Sequence, residues 1–156
     1  MTIVRVKPEG SLQFEDRQLV HREVRCALGR GGVRSEKREG DGVTPAGDWP
    51  MLSIYHRPDR LDLPQTDLPV RAISEQDGWC DDPGHTDYNR LVKLPFSASH
   101  ERLWREDRLY DGLIVLGYNT DPPVPGLGSA IFLHIAHPDY ETTEGCVALA
   151  PADFCD

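Results

Sequence analysis

The chain is short of most features that would assign it to a specialised class. It has no C-x-x-C pair, so neither a paired-cysteine zinc site nor a dithiol redox motif is present. Its four cysteines, Cys26, Cys80, Cys146 and Cys155, are widely spaced, and at 156 residues a core can form without disulfide staples, so separate roles are expected for them. No apolar run approaches the roughly 20 residues of a membrane helix. The first residues, Met1-Thr2-Ile3-Val4-Arg5-Val6-Lys7, lack the apolar core of a secretory signal, so the expected compartment is the cytoplasm, or the outside by an unclassical route. Positive charge is also scarce, with 17 Lys and Arg against 26 Asp and Glu for a net charge of −9. That balance excludes a basic stripe able to track a phosphate backbone, and with it nucleic acid as a partner.

What is present describes one globular domain over residues 1–156, with 38% apolar and 28% charged residues. From Ile3 to Leu28, runs of four to six residues alternate apolar and charged positions between turn residues such as Pro8-Glu9-Gly10. This pattern predicts an antiparallel meander of short strands, with Cys26 as a small buried filler. Gly29 to Gly47 then forms a long glycine-rich loop, read as functional or as a plain surface connection; Gly31-Gly32 precedes no helical pattern, so it is not a phosphate cradle.

Met51–Tyr55 resumes as strand, Leu61–Pro69 is proline-studded and irregular, and Val70–Ile73 reads as a short strand. Asp77 to Arg90 is an aromatic and charged loop in which Trp79 and Tyr88 either recognise a ligand or cap the core edge. Asp81-Asp82 lacks the further acids a calcium or magnesium site needs. Ser99–Glu106 is the best helical candidate, with Ser97 or Ser99 as cap and His100 facing solvent. Leu113–Tyr118 has the make-up of a buried central strand, Asn119–Gly128 is a Pro/Gly loop, and Pro151–Asp156 resembles a first helical turn.

The chemistry concentrates where an apolar run ends in His134 and, 12 residues later, Gly145-Cys146 opens another apolar run. A thiol becomes nucleophilic as its thiolate, and a nearby imidazole can take the proton. If the two segments are neighbouring strands, the connecting loop can bring the side chains together. Gly145 would let the chain turn tightly and present backbone N–H groups to an oxyanion. A buried cysteine beside a core histidine is the plainer alternative. A third reading uses His134, His137 and Cys146 as zinc ligands, but residues three apart on a strand point to opposite faces, so convergence requires the strand to end by Ala136.

Gly40-Asp41-Gly42-Val43-Thr44-Pro45-Ala46-Gly47, Ile131-Phe132-Leu133-His134 and Thr143-Glu144-Gly145-Cys146 together resemble the L,D-transpeptidase catalytic domain, also called YkuD. That family carries, in this order, a Thr-Pro-x-Gly segment, a histidine at a strand end and a Ser/Thr-x-Gly-Cys nucleophile. The resemblance implies a mainly β fold, a mixed sandwich or barrel-like arrangement with one or two short helices and the site in a cleft between sheets. It implies a location in the cell envelope. It also implies that Cys146 attacks a peptidoglycan stem peptide or muropeptide, with His134 as general base, no cofactor, and either cross-linking or trimming as the outcome. The amides of Gly145 and Cys146 are the oxyanion candidates. The chain departs from the commonest family form, which has His before Gly-Cys and Arg or Asn two residues after the Cys. Here those positions are Glu144 and Ala148, as in a Thr-x-Gly-Cys-Val-Ala subgroup. Substrate orientation then falls to Thr44, to Arg30, Arg38, Arg90 or Arg105, and to Trp79 and Tyr88. The rival class is a non-catalytic cell-wall or glycan-binding module with Trp79, Tyr88 and Trp104 on a recognition face.

Overall fold

The computed structural model describes residues 2–17 and 19–156, so the expectations for Met1 and Gln18 lie outside the described residues. In chain order the elements are β1 (Thr2–Lys7), β2 (Ser11–Asp16), β3 (Leu19–Ala27), β4 (Val33–Arg34), β5 (Thr44–Pro45), β6 (Met51–His56), β7 (Val70–Ala72), β8 (Asp77–Cys80), β9 (Leu91–Lys93), β10 (His100–Arg102), β11 (Gly112–Leu116), β12 (Phe132–Ile135), β13 (Val147–Leu149) and α1 (Pro151–Phe154). The fold is mainly β, as expected.

Eight strands form the main sheet in the order β1-β2-β3-β13-β12-β11-β6-β7. The alternating segment at the start folds into the antiparallel meander it predicts, from Thr2 opposite Asp16 through to Ser11 opposite Arg25. The last two thirds of the chain insert β13, β12 and β11 beside β3. The β12/β13 pair is parallel, and so is β6/β7; the other neighbours are antiparallel.

Both faces of the central strands are buried, which explains their unbroken apolar runs. Side chains alternate across a strand, so Phe132 and His134 share one face of β12 while Leu133 and Ile135 share the other. On the second face Leu133, Ile135, Val147 and Leu149 pack with Leu12, Ile54, Ile114 and Phe154 of α1. On the first, Phe132, Leu113 and Val115 pack under Trp79 of a smaller sheet, ordered β10-β8-β9, and under Leu103 just past β10. The Trp79 ring meets Phe132 edge-on at 5.1 Å. Phe132, Leu103 and Leu113 are fully enclosed, and each such side chain contributes about 1.5–3 kcal/mol of burial. The candidate nucleophile therefore sits between two sheets.

Two sequence expectations fail here. Ser99–Glu106 is not a helix, because His100–Arg102 pairs antiparallel with β8, setting Glu101 opposite Trp79. Cys80 of β8 is fully buried and Asp77 nearly so, and buried backbone groups of such a strand must find partners. The carbonyl of Ser99, placed as a helix cap, instead accepts the Asp81 N–H at 3.1 Å. His100 is half-buried on a strand, its Nδ1 within 2.8 Å of the Ala98 carbonyl. The Asp77–Arg90 region is likewise no open recognition loop. Trp79 lies within β8 at 6% exposure and Tyr88 is 3% exposed. Trp104 is partly buried with the Arg57 guanidinium 3.3 Å above its ring. Two of the three aromatics of the binding-module reading are thus packed inside, and the third is covered by Arg57.

Candidate active site

The pairing of Leu133 with Val147 and His134 with Ala148 sets Cys146 level with Phe132. The Phe132 N–H donates to Cys146 Sγ at 3.3 Å, and the thiol donates to the Ala130 carbonyl at 3.2 Å. By strand alternation Cys146 and His134 face the same side, one two-residue step apart on adjacent strands. Diagonal neighbours of this kind are about 7–8 Å apart between backbones, within reach of long side chains.

His134 is 5% exposed and Cys146 8%. His134 Nδ1 lies 2.8 Å from the Ile135 carbonyl, which can only accept, so Nδ1 carries the hydrogen and Nε2 keeps its lone pair. The Tyr110 ring stands edge-on to the imidazole at 5.3 Å. Burial pushes the imidazole down to about 4 and the thiol up to about 12. Desolvation thus favours the neutral form of each group over a resting thiolate–imidazolium pair.

The loop before the nucleophile is built by side-chain and backbone bonds. Thr143 Oγ1 donates to the Cys146 carbonyl at 2.6 Å and accepts the Gly145 N–H at 3.1 Å. Gly145 has φ +137°, and a Cβ there would lie 2.8 Å from the Val43 carbonyl, so both conformation and space demand glycine. Its N–H is engaged by Thr143, which leaves the Cys146 amide as the oxyanion candidate. The glycine-rich segment supports this loop from beneath: the Thr143 N–H donates to the Leu28 carbonyl and Arg30 N–H to the Thr143 carbonyl, at 2.9 and 2.8 Å. A two-residue parallel ladder sets Val33 opposite Thr44, so the loop is tied down. Thr44 is 6% exposed and its Oγ1 accepts the Gly29 N–H at 2.9 Å. It holds the scaffold together and does not line the cleft, contrary to its expected role in substrate binding.

Cys146 and His134 open into one cavity of about 470 Å³, shared with Tyr110, Glu101, Arg105 and Ser129. Of the four arginines proposed to orient substrate, Arg105 lines the cavity. Arg30 stands at its mouth, paired with Glu144 at 2.9 Å and donating to the Gly40 carbonyl at 3.0 Å. Arg38 and Arg90 are not among the lining residues, and neither are Trp79 and Tyr88. The cavity wall carries more acids than bases: Glu39, Asp81, Glu101, Glu141 and Glu144 against Lys37 and Arg105. Both bases are already paired, Lys37 with Asp41 at 2.7 Å and Arg105 with Asp107 at 2.6 Å.

Sequence reading missed Glu101, Tyr110 and Lys37. Glu101 and Leu103 alternate with exposed Arg102, a period-two signal that a strand reading of Ser99–Glu106 would have used. Lys37 lies in a charged loop stretch that looks solvated, yet the residue is 7% exposed. His137, past the end of β12, accepts the Asp139 N–H at 3.2 Å, and no group of three His, Cys, Asp or Glu side chains among the described residues is placed to hold a metal. The zinc reading therefore lacks its ligand set. Asp82 serves a turn, its Oδ1 accepting the Gly84 N–H at 2.9 Å.

No curated protein and no solved structure matched the chain. The family model for the L,D-transpeptidase catalytic domain, YkuD, matches residues 2–154. That span takes in the meander, the seam and the smaller sheet alike, and with a buried Cys146 and His134 facing one cleft it leads to one conclusion: the chain belongs to the L,D-transpeptidase catalytic domain family.

Proposed function

We propose that the protein is a cysteine acyltransferase acting on peptidoglycan stem peptides through a thioester on Cys146. The observation that carries this reading is the common face of Cys146 and His134 on parallel neighbouring strands, with Nδ1 of the imidazole tied to the Ile135 carbonyl and Nε2 left as the base. In acylation the thiol proton passes to Nε2 while Sγ attacks the carbonyl that precedes the terminal D-alanine. The C–N bond then breaks, His134 returns the proton to the leaving amine, and D-alanine departs. An amine from a second stem, or water, next attacks the thioester, and its proton reaches Sγ through His134.

The protonation states decide the timing. Burial holds the imidazole below and the thiol above their ordinary values, so charge separation before attack is disfavoured on both sides. Proton transfer is therefore coupled to carbon–sulfur bond formation and does not precede it. The Cys146 amide, beside the nucleophile, stabilises the oxyanion as it develops.

Incubation with tetrapeptide muropeptides tests the proposal. Wild type is expected to release D-alanine and to show an acyl adduct on Cys146 by mass, and Cys146→Ala to do neither. Absence of both D-alanine loss and adduct in wild type refutes the peptidoglycan assignment. Comparing soluble muropeptides with intact sacculi in the same assay separates an envelope enzyme from one that handles released fragments.

A further inference from the structure

Glu101 is a carboxyl in the wall of the reaction cavity that the two-residue Cys146–His134 chemistry does not use. It projects from β10, opposite Trp79 in the ladder, and its Oε1 accepts the hydroxyl hydrogen of Tyr110. That same Tyr110 stands edge-on to the His134 ring. Around Glu101 the charged groups are Asp81, just past β8; Glu39, in the loop between β4 and β5; and Arg105, beyond β10, whose guanidinium is occupied by Asp107. Asp81 lines the same cavity, and its Oδ1 is enclosed without a hydrogen-bond partner. Lys37 is held by Asp41 and the Arg38 carbonyl. Among the described residues, one wall of the cleft thus has carboxylates in excess and no unpaired Lys or Arg.

Proton counting gives this wall a task. Water attacking the thioester gives up one proton to Sγ, and His134 alone can carry it. An alkyl amine arrives as an ammonium ion, with an ordinary value of about 10.4, and must lose two protons to become an amide. His134 carries one to Sγ. The other needs a second acceptor, because the single imidazole facing the thiol is already committed to the proton that goes to Sγ, and Glu101 is a carboxyl lining the same cavity. Resting on the acyl-enzyme reading above, we propose that Glu101 is the base that takes the first proton of an ammonium acceptor, so that the cleft favours transfer to amines over transfer to water.

In balanced form, the ammonium N–H proton moves to the Glu101 carboxylate and the freed lone pair forms the C–N bond. The C–S bond breaks, and the second N–H proton passes by His134 Nε2 to Sγ. The products are the amide, the Cys146 thiol and protonated Glu101, which returns its proton to solvent. Burial, with the like charges of Asp81 and Glu39 and against the Tyr110 hydrogen bond and Arg105, raises the Glu101 carboxyl and makes it a stronger base than an ordinary carboxylate.

The experiment partitions one acyl-enzyme between two acceptors. The full chain, acylated by a tetrapeptide stem, is offered lysine amide blocked by acetylation at its α-amine, so that its one free amine is an ammonium at neutral pH, and hydroxylamine, which is uncharged there. Glu101→Gln is expected to lower the ratio of lysine amide to hydroxylamine product by on the order of 10²-fold, and Glu101→Asp to recover part of that ratio. An unchanged ratio in Glu101→Gln overturns the proposal. If the Gln variant is not acylated, wild type decides alone. Its product ratio should level off with rising pH well below about 10.4, whereas a ratio climbing tenfold per pH unit up to that value overturns the proposal. Wild type without any Cys146 adduct overturns the acyl-enzyme reading and this one with it; an adduct whose partition ignores Glu101 overturns this one alone.

Discussion

Alkylation of Cys146 as a function of pH tests the neutral thiol–imidazole pair directly. The thiol is enclosed and its value rises from 9.0 to about 12, first through burial and then through the Glu101 charge. Three units leave about 10³-fold less thiolate than an ordinary cysteine has at the same pH. A more basic thiolate is also a better nucleophile, with a sensitivity of about 0.4–0.5, which returns roughly 15- to 30-fold. The net expectation is alkylation by iodoacetamide about 30- to 60-fold slower than in the denatured chain at pH 7.5. The logarithm of the rate should rise one unit per pH unit from 7 to 10 without levelling. Peptide-level mass spectrometry is required, because Cys26, Cys80 and Cys155 are also free thiols. His134→Ala should leave the slope unchanged, since a neutral imidazole donates no charge to the thiolate. A plateau with a midpoint near 6, lost in His134→Ala, would show a preformed ion pair and refute the coupled proton transfer.

Other outcomes follow from single contacts. Gly145→Ala forces φ +137° on a residue with a Cβ and drives that atom toward the Val43 carbonyl, so a loss of about 1–3 kcal/mol is expected in denaturant unfolding. Thr44→Val leaves the buried Gly29 N–H without its acceptor and should cost about 1–3 kcal/mol, lowering Tm by roughly 5 °C; Thr44→Ser should restore most of it. His134 is neutral when folded down to about 4, while the unfolded chain protonates near 6.5. The unfolded state therefore binds more protons in that window, and about 3 kcal/mol of stability should disappear as pH falls from 6.5 to 4, a slope absent in His134→Leu. Arg105→Ala should raise KM for the stem peptide severalfold, whereas Arg38→Ala and Arg90→Ala, which lie off the cavity, should leave it within a factor of two.

Local chemistry made part of this protein legible without coordinates. The period-two alternation before Leu28 predicts the meander, because a strand with one face against a core must alternate. The Pro151 start of α1 and the glycine at 145 are equally local, set by a missing N–H and by a backbone angle. Ser99–Glu106 shows the limit: eight residues with helical spacing were claimed by the unpaired edge of β8, and a buried backbone donor outweighs propensities of a fraction of a kcal/mol per residue. Trp79 and Tyr88 failed for the same kind of reason. An aromatic residue among charges looks like a surface reader until a second sheet closes over it.

The sequence by itself singled out His134 and Cys146 as the candidate pair and strands as their flanks, because the two residues sit at the ends of apolar runs and Gly145 precedes the thiol. Only the tertiary structure decided that those strands lie parallel and adjacent, which puts thiol and imidazole on one face. It also decided their protonation, since desolvation belongs to the enclosure made by β8–β10 and not to either residue. The carboxylate wall of Glu39, Asp81 and Glu101 was beyond sequence reading for the same reason. Its members come from three segments far apart along the chain, and their electrostatic coupling exists only once the two sheets have closed.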